Sequence, residues 1–126
     1  MITSTSNQRI KELSQIQKKS KVRSREGVFV AEGIRMVRET PYERLVSLYF
    51  SESFEKKYGN EVLDAISGGD LKIREQIRRK TEILSDAVFS YVSDTKTPQG
   101  VLAVVRHGVY TGADDRWSYP ASDDLR

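Results

Sequence analysis

The sequence contains no cysteine and a single histidine, His107. The chain can therefore form neither a disulfide nor a thiolate metal site, and one histidine cannot assemble a zinc site. Long hydrophobic runs are also absent, because no stretch approaches the roughly 18 apolar residues that cross a bilayer. The first ten residues are polar, so we predict no secretory signal. These features suit a reducing cytoplasm, which is the expected location.

Catalytic and phosphate-binding motifs are missing as well. His107 has no acidic residue near it in the sequence to orient it, so a Ser-His-Asp triad is not expected. The Gly68-Gly69 pair lacks the spacing of a nucleotide-binding loop and is interpreted as a helix end. Glu32 is interpreted as a cap or as a partner of Arg35 and Arg38. We therefore predict no catalytic, cofactor-binding or metal-binding residue in this chain.

Positive charge is concentrated at the start of the chain. The net charge of the whole chain is only +3, but residues 1–25 hold seven basic residues against Glu12 alone, a net charge of +6. Residues 26–106 carry −1 and residues 107–126 carry −2. Such asymmetry is typical of a protein with a polyanionic partner, although a solvated basic arm would show the same pattern.

The hydrophobic pattern alternates between strands and helices. Continuous apolar runs predict strands at Val28–Ala31, Leu45–Phe50 and Val101–Val105, with a weaker strand at Thr81–Leu84. Helical spacing predicts a first helix on Ile10, Leu13 and Ile16. Further helices are predicted after Gly33, after Ser51 or Ser53, after Asp70, and from Ser85 or Asp86. This order predicts an α/β domain with a mostly parallel central sheet of about four strands. Residues 1–106 are expected to form the domain, and residues 107–126 a tail or linker.

Two basic segments are candidate contact surfaces. The first follows the first helix at residues 18–25, and its serines leave open whether the helix continues or gives way to a loop. The second, residues 72–80, is diluted by Glu75 and Glu82 and is interpreted as a solvated helix face. Tyr42, Tyr49 and Tyr58 could stack on bases, but packing within the domain is the preferred interpretation.

The chain resembles the N-terminal domain of the SpoU family of RNA ribose methyltransferases over about residues 2–106. The first group of matching residues is Thr3-Ser4, Asn7, Ile10-Lys11, Leu13, Lys18-Lys19, Phe29, Glu32-Gly33 and Val37. The second group is Phe89, Ser93, Thr95, Thr97-Pro98-Gln99-Gly100 and the strand Val101–Val105. The two groups together make a more specific pattern than either one alone.

The resemblance implies a three-layer α/β/α domain, similar to ribosomal proteins that bind kink-turns. It also implies that the domain recognises structured RNA, and ribosomal RNA is the expected substrate. In the family this domain precedes a knotted SPOUT domain, expected in cis, which binds S-adenosylmethionine and methylates a ribose 2′-hydroxyl. A homodimer would form only through that second domain. No catalytic residue can be carried over, so we expect this chain to be inactive alone and to represent a truncation, a fragment or an excised domain.

The basic residues near the amino terminus are the predicted RNA contacts, since lysine and arginine bind phosphates largely independently of sequence. Two alternatives remain open at this level: an autonomous RNA-binding module without an enzyme, and a protein-interaction domain whose basic helix binds an acidic partner. The predicted RNA-binding residues are Lys11, Lys18, Lys19, Lys21, Arg23 and Arg25, with Arg35 as a weaker candidate.

Overall fold

A computed structural model describes residues 1–110 and 117–118. The α-helices are Gln8–Lys18 (α1), Ser20–Glu26 (α2), Ile34–Arg38 (α3), Glu52–Ser67 (α4), Leu71–Arg79 (α5) and Asp86–Val92 (α6). The strands are Val28–Glu32 (β1), Leu45–Ser51 (β2), Thr81–Leu84 (β3), Val101–Arg106 (β4), Val109–Tyr110 (β5) and Trp117–Ser118 (β6). A 3₁₀ turn, Tyr42–Arg44, precedes β2. Among the described helices, none combines the length and the apolar character that crossing a membrane requires.

The central sheet has the strand order β1-β4-β2-β3 and is mixed. Only β2 and β3 pair in parallel, whereas β4 pairs antiparallel with both β1 and β2. The prediction of a mostly parallel sheet was therefore wrong, although the number of strands and the α/β class were right. The short strands β5 and β6 pair antiparallel with each other, apart from this sheet.

The path of α6 explains the direction of β4. At its start, Asp86 accepts a hydrogen bond from the backbone N of Ser53, just after the carboxyl end of β2. At its end, Ser93 and Asp94 donate to the carboxylate of Glu32, the last residue of β1. Because α6 both begins and ends near the carboxyl ends of these parallel-running strands, the chain re-enters the sheet from that edge. The strand that follows must run antiparallel to β1 and β2.

Helices cover both faces of the sheet, which confirms the three-layer arrangement. Along β4, Val101, Ala103 and Val105 belong to one buried cluster, while Leu102 and Val104 belong to the other. The first cluster includes residues of α3, α4 and α5, and the second includes residues of α1 and α6. The period of two along a strand places these neighbours on opposite faces. The central strand β4 therefore contributes to both hydrophobic cores.

The basic segment after α1 is a second helix rather than a continuation or a loop. Lys19 has extended backbone angles, φ −120° and ψ 110°, and separates α1 from α2. The second helix ends at Gly27, whose φ of 68° is the left-handed conformation that glycine adopts at helix ends. The chain thus turns between the two helices before it enters β1.

Candidate nucleic-acid interface

Four lysines are exposed along α1 and α2. Lys11 and Lys18 are seven residues apart, which places them on one side of α1 about 10 Å apart along its axis. Lys19 lies in the break between the helices, and Lys21 lies in α2. Among the described residues, no carboxylate lies within 4 Å of any of these ammonium groups. These four lysines and the exposed Arg25 together form the basic surface.

Arg25 is partly neutralised, because its Nε lies 3.8 Å from a carboxylate oxygen of Glu26. Both side chains are more than half exposed, so the attraction is screened by water and salt. A phosphate could therefore compete for Arg25 at little cost. The basic surface keeps most of the positive charge that the sequence places there.

Arg23 differs from the other predicted contacts. Its Nη1 donates hydrogen bonds to the carbonyl oxygens of Ile16 and Gln17, both at 2.8 Å. These carbonyls belong to the last turn of α1, where the backbone has no helical partner. Arg23 is half-buried and ties α2 to the end of α1, so it has a structural role that its place in the basic run did not reveal.

Lys18 lies beside an exposed aromatic ring that the sequence analysis did not single out. Its Nζ is 5.0 Å from the ring centroid of Tyr91, and Tyr91 is 51% exposed. Next to this pair, Gln17 Nε2 donates to the carbonyl oxygen of Val92 at 3.1 Å. The ends of α1 and α6 are thus joined, and an aromatic residue lies within the basic surface.

The second basic segment is largely occupied by contacts within the chain. Arg74 forms an ion pair with Asp64 and donates to Asn60 at 2.7 Å. Lys80 Nζ donates to the carbonyl oxygen of Leu45 at 3.0 Å, and burial, aided by the charge of Arg106, lowers the pKa of Lys80. The Nε of Arg79 lies 3.8 Å from Glu75. These contacts compete with RNA for the charges of this segment. They favour its interpretation as an ordinary helix face, solvated at Arg79 and Glu75, over an extension of the nucleic-acid surface.

The three tyrosines considered as stacking platforms are mostly engaged elsewhere. Tyr49 is only 8% exposed and belongs to the core beside α1 and α6. The hydroxyl of Tyr42 donates to Gln76. The ring of Tyr58 lies 5.2 Å from that of Phe54, although Tyr58 is 44% exposed. Burial excludes Tyr49 as a stacking platform.

Glu32 is the centre of a hydrogen-bond network and contacts neither Arg35 nor Arg38 in the described structure. Its carboxylate accepts from Gln17 Nε2 at 3.3 Å, from the backbone N of Asp94 at 3.3 Å and from Thr95 Oγ1 at 3.2 Å. The hydroxyl of Ser93 also donates to it. The interpretation of Glu32 as a partner of the two arginines was therefore wrong, and it does not cap α3 either. Its partners lie in a loop some 60 residues away and at the end of α1.

The two groups of residues that carry the family resemblance meet at this network. Glu32 comes from the first group, whereas its partners Ser93 and Thr95 come from the second. Beside the network, Gln99 of the second group accepts a hydrogen bond from the backbone N of Ile34, the residue after Gly33. Their shared occurrence in a family pattern was the one signal in the sequence that they act together. Arg35 lies one turn beyond, exposed on α3, and its assignment as an RNA contact stays a prediction.

A groove lies between α2 and the adjoining ends of β1 and β4. Its volume is about 490 Å³. The rings of Phe29 and His107 lie 5.0 Å apart at an interplanar angle of 49° along it. The backbone N of His107 donates to the carbonyl oxygen of Gly27 at 2.8 Å, which fixes the segment just after β4. The remaining lining residues are Ser20, Arg23, Ser24, Gly27 and Val28.

Solved structures with this fold include several methyltransferases. An rRNA methyltransferase from Sinorhizobium meliloti superposes with a TM-score of 0.58 at 16% identity, over 83% of this chain and 36% of that chain. An RNA 2′-O ribose methyltransferase gives 0.53 at 26% identity, over the same shares of the two chains. The SpoU methyltransferase AviRb from Streptomyces viridochromogenes, in complex with AdoMet, gives 0.51 at 18% identity, over 79% and 33%.

The present chain thus spans about a third of the length of these solved enzymes. A search of curated proteins found no significant match. A family model described as the MRM3-like substrate binding domain matches residues 7–103. The chain therefore belongs to the family of MRM3-like substrate-binding domains, which confirms its resemblance to the N-terminal domain of the SpoU methyltransferases.

Proposed function

We propose that residues 1–106 bind structured RNA, with ribosomal RNA as the substrate, for a SpoU-type 2′-O-ribose methyltransferase. The observation that carries this proposal is the basic surface on α1 and α2, whose four lysines have no acidic partner in the described structure. The family is defined as substrate-binding, and the solved relatives include enzymes named for RNA or rRNA. A polyanionic substrate matches this concentration of uncompensated charge.

The domain boundary and the assembly belong to the same proposal. Residues 107–126 would act as a tail or linker toward a catalytic SPOUT domain in cis, and a homodimer would form through that domain. His107 is the exception to this boundary and is assigned to the substrate-binding domain, because its backbone N donates a hydrogen bond to the carbonyl oxygen of Gly27.

S-adenosylmethionine is assigned to the catalytic domain of the full-length family and not to the described residues. Its sulfonium and ammonium groups need carboxylate or carbonyl oxygens nearby. The 490 Å³ groove is lined by the guanidinium of Arg23, and its described lining contains no carboxylate. The groove thus offers a cation and no carboxylate to the two positive groups of the cofactor, and neither the cofactor nor a catalytic step is assigned to it.

A salt series with two double variants tests the RNA proposal. Each phosphate that a lysine neutralises releases condensed counterion, so binding should weaken steeply as salt rises. Lys18→Ala with Lys19→Ala should weaken binding to structured RNA and lower the log–log salt slope by about one unit per lost contact. Thermal stability should change little, because exposed lysines contribute within roughly ±0.5 kcal/mol.

The matched control is the double variant Arg78→Ala with Arg79→Ala, which removes two charges from α5. It should leave the slope unchanged. A reduced slope in this control, together with an unaltered slope in the Lys18 and Lys19 variant, would show that α5 and not the basic surface binds the RNA. Wild-type protein that binds an acidic protein surface but no structured RNA would instead support the protein-interaction alternative.

A further inference from the structure

The groove beside Arg23 carries hydrogen-bond donors that the fold does not use. A guanidinium has five N–H groups, and the two on Nη1 of Arg23 are directed to the carbonyl oxygens of Ile16 and Gln17. Within the described residues, the three N–H groups on Nε and Nη2 make no hydrogen bond. The hydroxyls of Ser20 and Ser24, one helical turn apart on the same face of α2, make none there either. This wall of the groove can donate several hydrogen bonds to an anion.

The groove also offers aromatic surface. Phe29 and His107 are both half-buried, with their ring centroids 5.0 Å apart. His107 is fixed through its own backbone N–H, so its ring is presented by an anchored segment. A tilted pair of rings offers apolar surface on which a planar ligand can pack. The groove therefore combines an anion-binding wall with an aromatic wall.

The charge around the groove narrows the choice of ligand. Lys21 and Arg25 lie on the neighbouring side of α2, about a quarter-turn to a half-turn from Ser20. Lys19 immediately precedes the helix. A ligand in the groove would therefore lie on a helix that also carries two of the cations proposed to hold the RNA backbone. An isolated anion would use the arginine but would leave the aromatic wall empty.

We propose that the groove binds one nucleotide that is flipped out of the substrate RNA. Its base packs against Phe29 and His107, and its phosphate accepts hydrogen bonds from Arg23, Ser20 and Ser24. RNA is commonly recognised through unpaired nucleotides whose bases stack on aromatic side chains, histidine included. The inference rests on the proposed function and deepens it, because it assigns recognition of an unpaired nucleotide to residues outside the exposed lysines.

The test uses two RNA probes and the full 126-residue chain. One probe is a hairpin with 2-aminopurine in an unpaired loop, and the other is a fully paired duplex of the same length. The wild type should bind the hairpin more tightly and should quench the fluorescence of 2-aminopurine, because stacking quenches it. His107→Ala should weaken hairpin binding at least about fivefold and relieve the quenching, in line with the energy of base–aromatic stacking.

Two further measurements separate stacking from general binding. The salt slope should be unchanged in His107→Ala, since no phosphate contact is removed, and duplex affinity should also be unchanged. Phe29→Leu keeps an apolar side chain of similar size in the core and should have the same selective effect. Tyr58→Leu removes a half-exposed aromatic ring from α4 and should alter neither probe.

The outcomes distinguish the inference from the function on which it rests. Unaltered hairpin affinity and quenching in both His107→Ala and Phe29→Leu would overturn the groove as a nucleotide site, while a normal salt response would leave the RNA proposal intact. Equal affinity of the wild type for the two probes would also overturn the assignment of the groove as a nucleotide site. Absence of any salt-dependent RNA binding by the wild type would overturn both proposals.

Discussion

Gln99 caps the amino terminus of α3, although it lies far from that helix in the sequence. Its Oε1 accepts a hydrogen bond from the backbone N of Ile34 at 2.7 Å, across 65 positions of the chain. The residue at the cap position itself is Gly33, which has no side chain to do this. A distant loop thus satisfies a donor that a local serine or aspartate usually satisfies.

Replacing Gln99 by alanine should lower the free energy of unfolding by about 1 kcal/mol, the usual cost of losing a helix cap. Gln99→Glu keeps an acceptor oxygen at the same place and should retain most of the stability. Urea denaturation of the two variants measures the difference. Equal midpoints for Gln99→Ala and the wild type would show that water replaces the cap without loss.

Arg23 should contribute to the free energy of unfolding, unlike the exposed cations of the basic surface that lie next to it in the sequence. Arg23→Ala removes two hydrogen bonds to the end of α1, so we expect a loss of about 1–2 kcal/mol. Lys21→Ala is the matched control on the same helix and should remain within about 0.5 kcal/mol of the wild type. Thermal melts followed by circular dichroism measure the difference. Equal melting temperatures for the two variants would contradict the structural role of Arg23.

Gly100 should not tolerate a side chain. Its φ is 114°, and an added Cβ would lie 2.3 Å from Oγ of Ser51 and 2.7 Å from Cβ of Phe54. Gly100→Ala should therefore cost about 3 kcal/mol or more, from overpacking together with backbone strain. Gly68→Ala is the control, because Gly68 also has a positive φ but nothing lies within 4 Å of its added Cβ.

For Gly68→Ala the backbone strain alone should cost about 1 kcal/mol. The gap between the two glycine variants in denaturant midpoints isolates the steric part of the Gly100 effect. Similar midpoints would mean that Ser51 and Phe54 move aside at no cost.

Val104→Asp should unfold the domain. Val104 is 1% exposed in the central strand and belongs to the core formed with α1 and α6. An unpaired buried charge there costs several kcal/mol, which approaches the whole stability of a small domain. Loss of the cooperative melt is the expected result, whereas Val22→Asp on the half-exposed α2 should still melt cooperatively.

The positions of most strands and helix ends were predictable from local sequence. The four strands of the main sheet match the predicted runs to within a residue. Asp70 caps α5, as expected, and Ser85, one of the two residues predicted to start α6, caps that helix. Gly68 ends α4 with a φ of 63°. These features depend on neighbouring residues only, because capping and hydrophobic periodicity act over one or two turns.

The candidate site was predictable only in part. Ammonium groups avoid burial, so the sequence alone predicts that the lysines of the basic surface are exposed: Lys11, Lys18, Lys19 and Lys21. The role of Arg23 does not, since it depends on the break at Lys19 that folds α2 back toward the end of α1. The groove likewise requires Phe29 and His107 to meet, and these residues lie 78 positions apart.

The sequence by itself determined the α/β class, the strand positions and the concentration of positive charge in the first 25 residues. Tertiary structure decided the antiparallel entry of β4, the Glu32 network and the division of the basic run into exposed cations and one anchored arginine. The physical reason is the range of the interactions. Periodicity and capping are local, whereas strand order and the partners of Glu32, Gln99 and Arg23 depend on how separate segments pack.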